Sequence, residues 1–207
     1  LRKINGKSLV YLDNAATTQK PACVIDAMSQ FYSLSNANVH RAVHTLAGEA
    51  TEGYEACRTL LKERYNANRA IITSGTTEAI NLVARSWGES NLNSGDVVVL
   101  TEMEHHSDIV PWQMLAERKA IELRYIPVID GELDLDAFDV ALEGAKLVCV
   151  VHTSNVLGIR NPVEKIIESS KNAGARVLLD AAQAVPHEVI DFQHLGADFM
   201  AFSAHKM

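Results

Sequence analysis

The chain has 207 residues, of which 47% are hydrophobic and 22% charged, with a formal net charge of −7 and a pI near 5.6. That length and apolar content suffice for one soluble globular domain with a full core, and they exclude a disordered chain. The acidic balance supplies no basic surface for phosphate contacts, so nucleic acid and anionic membranes are excluded as partners and a small-molecule substrate is expected.

In chain order, the apolar segment Leu9–Leu12 runs into Asp13-Asn14-Ala15-Ala16-Thr17-Thr18, whose small polar residues predict a loop able to line a pocket. From Pro21 to Leu34, Val24, Ile25, Met28, Phe31 and Tyr32 recur at three- and four-residue spacing, predicting an amphipathic helix with a packing face. Asn38–Thr45 carries His40, Arg41 and His44 and reads as a polar loop with a helix cap. Leu46, Ala50, Tyr54, Cys57, Leu61 and Tyr65 then mark one side of a helix of about five turns.

Beyond this point the pattern alternates. A strand is predicted at Ala70–Thr73, a turn at Ser74–Thr77 and a helix from Glu78 to Trp87. Further strands are expected at 97–100, 121–127, 147–151, 177–179 and 199–202, with helices at 109–118, 135–143 and 162–173. Such alternation predicts βαβ units: an α/β fold whose mainly parallel sheet is sandwiched by helices. The three cysteines, Cys23, Cys57 and Cys149, lack CxxC spacing, so no metal site or disulfide framework is expected; a reducing, cytoplasmic setting and small core roles are. The longest apolar run mid-chain, Leu147–Val151, is far below the roughly 20 residues of a membrane span. The chain begins at Leu1 rather than Met and stops one residue after Lys206, which reads as a piece of a longer protein.

Ligands of open α/β sheets bind at the carboxyl ends of strands. That rule selects Thr76 and Thr77, His105, His152 with Asn155, Asp180 with Gln183, and Ser203, His205 and Lys206. Lys206 follows an apolar strand and a Ser-Ala-His turn, a setting for a lysine that forms a Schiff base with a carbonyl compound. Asp180 ends the apolar run Val177–Leu179, where a carboxylate needs a cationic partner such as a pyridinium nitrogen. His105 suits stacking on a ring or moving a proton. Asn155 and Gln183 carry amides for a phenolic oxygen, and Thr77, Ser203 and His205 suit a phosphate. Taken singly, Ser and Thr also cap helices without a ligand, and a histidine on such a loop is often structural. Jointly the set fits pyridoxal phosphate.

Seven ordered segments carry a resemblance: Tyr11–Ala16, Val39-His40-Arg41 through Leu46, Ser74–Glu78, Glu104-His105-His106, His152–Gly158, Asp180–His187 and Phe202–Lys206. Together they resemble the cysteine desulfurases of the class V aminotransferase group, most closely the SUF-type branch, which also includes selenocysteine lyases. The resemblance implies a fold-type I enzyme with residues 1–207 as an incomplete pyridoxal 5'-phosphate-binding large domain. It also implies a homodimer, an L-cysteine or L-selenocysteine substrate and a sulfur-acceptor protein. It makes Lys206 the Schiff-base lysine and His105 the stacking, proton-transferring residue. Asp180 becomes the pyridinium partner, Thr76, Thr77, Ser203 and His205 phosphate ligands, and Asn155 and Gln183 contacts to the ring oxygen. Ala15, His40 and Arg41 fall on the substrate side.

The family usually has glycine where this chain has Ala42, Ala181 and Ala204, and often asparagine at Asp108. An added methyl matters where backbone crowds a cofactor or takes a positive φ. The family's sulfur-accepting cysteine, its carboxylate-gripping arginine and an antiparallel strand after the lysine belong to its C-terminal half. The alternatives are another class V pyridoxal-phosphate enzyme, or a binding module on the same fold that does not turn over substrate.

Overall fold

The computed structural model describes residues 2–41 and 43–207. It opens with a short antiparallel hairpin, β1 (Lys3–Ile4) and β2 (Lys7–Ser8). Helices α1 (Ala22–Gln30), α2 (Thr45–Arg64) and α3 (Thr76–Val83) follow; a π-helical turn, Ala84–Gly88, then leads into α4 (Glu89–Asn91). The alternating region comprises β3 (Val97–Thr101), α5 (Val110–Lys119), β4 (Glu122–Ile126), the hairpin β5 (Val128–Ile129) and β6 (Glu132–Leu133), and α6 (Leu135–Ala141). It continues through β7 (Ala145–Val151), α7 (Val163–Asn172), β8 (Arg176–Asp180), α8 (Phe192–Leu195) and β9 (Phe199–Ala201).

Five strands form one sheet in the order β4-β3-β7-β8-β9, every pair parallel. Parallel strands covered on both faces read as unbroken apolar runs, because neither side meets water. β3 is Val-Val-Val-Leu-Thr, buried throughout. Its side chains alternate with period two. Val97 and Val99 join Val148, Val150, Val177 and Leu179 in a core shared with Phe138 of α6 and Ile166 and Ile167 of α7. Val98 and Leu100 join Leu147, Cys149 and Leu178 in a second core with Ile80 of α3 and Trp112 and Leu115 of α5.

Local chemistry sets the helix ends. The Asp134 carboxylate accepts from the Asp136 and Ala137 N–H groups at 3.0 Å, capping α6, and Asp191 accepts from His194 N–H at 2.9 Å at α8. α8 stops at Gly196, whose φ of +82° is left-handed and open to glycine.

Several expectations need correction. Residues 70–73 form no strand among the described residues; Ile71 is 71% exposed, and no neighbouring strand pairs with the segment. The helix expected from Glu78 begins at Thr76. α1 buries no residue, so its apolar positions face no packing partner among the described residues. α2 buries only Ala47 and Ala50. Cys23 and Cys57 are exposed, and only Cys149 is a core residue. Ala42 lies outside the described residues. Ala181 and Ala204 do not take positive φ, and Ala181 is fully buried against Ala184, Val185 and Ile190, so their methyl groups impose no backbone strain. No described helix is long and apolar enough to cross a membrane.

Candidate functional site

At the carboxyl edge of the sheet lies a cavity of about 470 Å³. The loop after β3 contributes His105, β7 ends in Val151 with Asn155 beyond it, β8 ends in Asp180, and the turn after β9 contributes Ser203, His205 and Lys206. Thr76 and Thr77 enter from the first turn of α3, and Ala15 from the N-terminal loop.

The start of α3 is tied to the end of β9. Thr76 N–H donates to Ser203 Oγ at 2.8 Å, and the two hydroxyls lie 2.6 Å apart. Gly75 precedes them with φ +151°, and a Cβ there would come within 3.2 Å of Ser203 Oγ. Only glycine takes that backbone without strain and leaves the space open. Hydroxyls gathered on a helix N-terminus, with its unpaired N–H groups and positive dipole end, form a cradle for an anion.

Asp180 is 3% exposed. Its side chain makes one hydrogen bond among the described residues, Oδ1 accepting from Ala182 N–H at 2.9 Å, which leaves the other oxygen for a ligand. Burial raises its pKa; the Ala182 N–H bond and the charges of Lys206 and His105 act against that rise without cancelling it. A cationic ring nitrogen would offset the cost of keeping this carboxylate ionised.

Half-buried Lys206 shares the cavity. Its turn is held through the His205 carbonyl, which accepts from Thr18 N–H at 3.1 Å, from both the Thr17 and Thr18 hydroxyls at 3.1 Å, and from Lys20 Nζ at 2.5 Å. Gln183 Nε2 donates to Ala15 O at 2.9 Å, tying the same N-terminal loop to the segment after β8. His105 Nδ1 accepts from Ser107 N–H at 3.2 Å and lies 2.7 Å from Ser107 Oγ. That bond places the imidazole proton on Nε2 in the neutral ring.

The expected set is thus largely brought together: Ala15, Thr76, Thr77, His105, Asn155, Asp180, Gln183, Ser203, His205 and Lys206 all line the cavity. His40 and Arg41 do not. His40 Nε2 sits 3.2 Å from Glu55 Oε1 with its ring against Tyr54 of α2. His152, selected by the strand-end rule, is buried elsewhere; its Nδ1 lies 3.1 Å from Thr153 Oγ1 and 3.5 Å from Glu188. Asp13, Ala16, Ser107, Val151 and Ala182 also line the cavity without having been selected. Of these, Ser107 had a signal: a hydroxyl two residues after a candidate histidine can fix its tautomer.

A parallel sheet that gathers a lysine, a buried carboxylate and a hydroxyl cradle at its carboxyl edge defines an α/β protein with a ligand site for an anionic group and a cationic one. The chain belongs to the aminotransferase class-V family, whose model matches residues 10–207. It is 50% identical to a cysteine desulfurase of Enterobacter sp. (strain 638) over all of this chain and 52% of that protein. Over the same shares it is 48% identical to a probable cysteine desulfurase of Halalkalibacterium halodurans. A solved cysteine desulfurase from Thermococcus onnurineus NA1 superposes with a TM-score of 0.90 at 41% identity, covering 95% of this chain and 50% of that one. The chain therefore spans about half the length of the curated relatives it matches.

Proposed function

We propose that residues 1–207 form the cofactor-binding half of a pyridoxal 5'-phosphate-dependent cysteine desulfurase of the SUF-type branch. The complete protein converts L-cysteine to L-alanine and passes the sulfur, through an enzyme persulfide, to an acceptor protein for iron–sulfur cluster assembly or other sulfur metabolism. In this reading it acts as a homodimer in the cytoplasm. The observation that carries the proposal is the meeting of Lys206, Asp180 and the Thr76–Ser203 cradle in one cavity.

The donor set fits the group. The Thr76, Thr77 and Ser203 hydroxyls at the start of α3 suit a phosphate, the buried Asp180 carboxylate suits a pyridinium nitrogen, and the Lys206 amine suits an aldehyde. When bound, pyridoxal phosphate supplies an electron sink for charge developing at the substrate α-carbon. Asp180 keeps the ring nitrogen protonated, and its burial strengthens that pairing by excluding water. Lys206 lines the same cavity and would provide the amine that holds the cofactor and later takes a proton. His105 offers a proton at Nε2, with Ser107 holding the ring by Nδ1. Asn155 and Gln183 bring amide groups to the same cavity, although the Gln183 bond to Ala15 leaves it one free N–H and a carbonyl.

The test is alanine and sulfide release from L-cysteine by the full-length protein in the presence of a dithiol, which reduces the enzyme persulfide and frees its outer sulfur as sulfide. Equimolar products, lost in Lys206→Ala, are expected. Turnover that survives Lys206→Ala, or none in the cofactor-loaded wild type, would refute the assignment.

A further inference from the structure

Between β3 and α5 the chain buries two acids four residues apart. Glu104 is 7% exposed and Asp108 0%. Glu104 Oε1 accepts from Thr101 Oγ1 at 2.7 Å and from Val151 N–H at 2.8 Å. Asp108 Oδ1 accepts from Trp112 Nε1–H at 2.9 Å, with the buried Cys149 thiol alongside as a weak donor. The remaining oxygens, Glu104 Oε2 and Asp108 Oδ2, are buried with no hydrogen-bond donor among the described residues. The two carboxyl groups lie within hydrogen-bonding reach of each other.

Three protonation states are available. With both acids ionised, two neighbouring carboxylates each keep an unpartnered charged oxygen out of water, the arrangement that forces paired carboxylates to hold a proton. With both protonated, one hydroxyl has no acceptor. With one proton, both orphaned oxygens are satisfied.

We propose that Glu104 and Asp108 share one proton between their two carboxyl groups, and that this clasp positions the end of β7 and the His105 loop beside Asp180. Val151, held by Glu104 Oε1, is the register partner of Asp180 across β7 and β8, and His105 directly follows Glu104. The charged and titratable groups facing the pair are Asp180 and Cys149; Lys206 and His105 lie beyond Asp180. With one proton in the clasp, Asp180 meets one neighbouring negative charge rather than two. Burial first, and then neighbouring negative charge, raises both acids well above the ordinary carboxylate range. The clasp is built from this chain's own side chains and does not require the cofactor reading.

The experiment compares full-length wild type, Asp108→Asn, Glu104→Gln and the double variant, all without cofactor. At neutral pH the wild-type infrared difference spectrum against Asp108→Asn shows the carbonyl stretch of a buried carboxylic acid, which either single substitution removes. Each single variant retains the fold, because an amide N–H takes the proton's place. The folded pKa of the pair lies above its unfolded value, so native wild type binds a proton that the unfolded chain lacks. The folding constant of wild type relative to Asp108→Asn therefore falls about tenfold per pH unit as pH rises above the unfolded carboxylate value of about 4. In the double variant two amide N–H2 groups oppose each other, and its loss of stability exceeds the sum of the single effects. A wild type with no acid band, a pH-independent ratio, or additive substitutions would each overturn the proposal.

Discussion

Asp180 is the residue on which the electronics of the site turn. On the proposed reading, replacing it with Asn preserves shape but removes the charge that would hold a ring nitrogen protonated, so Asp180→Asn in the full-length protein should lose roughly 100-fold or more in turnover with the fold retained. Steady-state kinetics beside a thermal melt check this, and unchanged turnover would exclude the pairing. His152 makes a different prediction. Burial lowers its pKa and the Glu188 charge only partly opposes this, so the folded state prefers the neutral ring. A depressed histidine contributes stability above its unfolded value that is lost as pH falls. Thermal stability should thus drop as pH passes below about 6.5, and His152→Gln should reduce that dependence; equal slopes in the two proteins would contradict it. Asp180 was legible because an acid closing an apolar strand demands a partner. The Glu104–Asp108 pair was not, since a short loop ending in the 3-10 turn His106–Asp108 does not announce that two side chains meet, and a strand-end rule cannot say which way His152 turns.

At the scale of elements, the first turn of α3 decides whether the anion cradle forms. Gly75→Ala would force a side chain into a left-handed backbone and bring its methyl within 3.2 Å of Ser203 Oγ, at a cost of about 1–3 kcal/mol. We expect a lower melting temperature and weaker cofactor retention, read by dialysis of the full-length variant; retention equal to wild type would contradict the cradle. α1 sits at the other extreme. It carries an apolar stripe, with Ile25 53% and Met28 57% exposed, yet buries nothing among the described residues. In residues 1–207 alone its amide hydrogens should exchange orders of magnitude faster than those of fully interior β7, and protection of α1 equal to that of β7 would refute this. Helical spacing made α1 legible, while the exposure of its apolar stripe could not be read from spacing alone. Residues 70–73 show the same division, since Ile71 and Ile72 give strand character but a strand also needs a neighbour to pair with.

For the whole molecule, the alternation of apolar runs and amphipathic helices was enough to foresee a parallel sheet sandwiched by helices, because burial on both faces leaves few other solutions. The strand order β4-β3-β7-β8-β9 was not foreseen, as pairing depends on crossovers rather than on local pattern. The half-length match to the curated relatives bears on activity. Neither exposed cysteine, Cys23 or Cys57, lines the cavity, and Cys149 is buried with its thiol pKa pushed well up by burial and by Asp108 and Glu104. A buried, protonated thiol is a poor nucleophile. Residues 1–207 alone should therefore release sulfide from L-cysteine no faster than free cofactor, and a rate well above that blank would contradict the account. The central claim, that the turn after β9 holds pyridoxal phosphate through Lys206, is tested most directly by borohydride reduction of the cofactor-loaded full-length protein followed by peptide mass mapping. The account predicts the reduced cofactor on Lys206 and no covalent label in Lys206→Ala; a label on any other lysine, or none in the wild type, would contradict it.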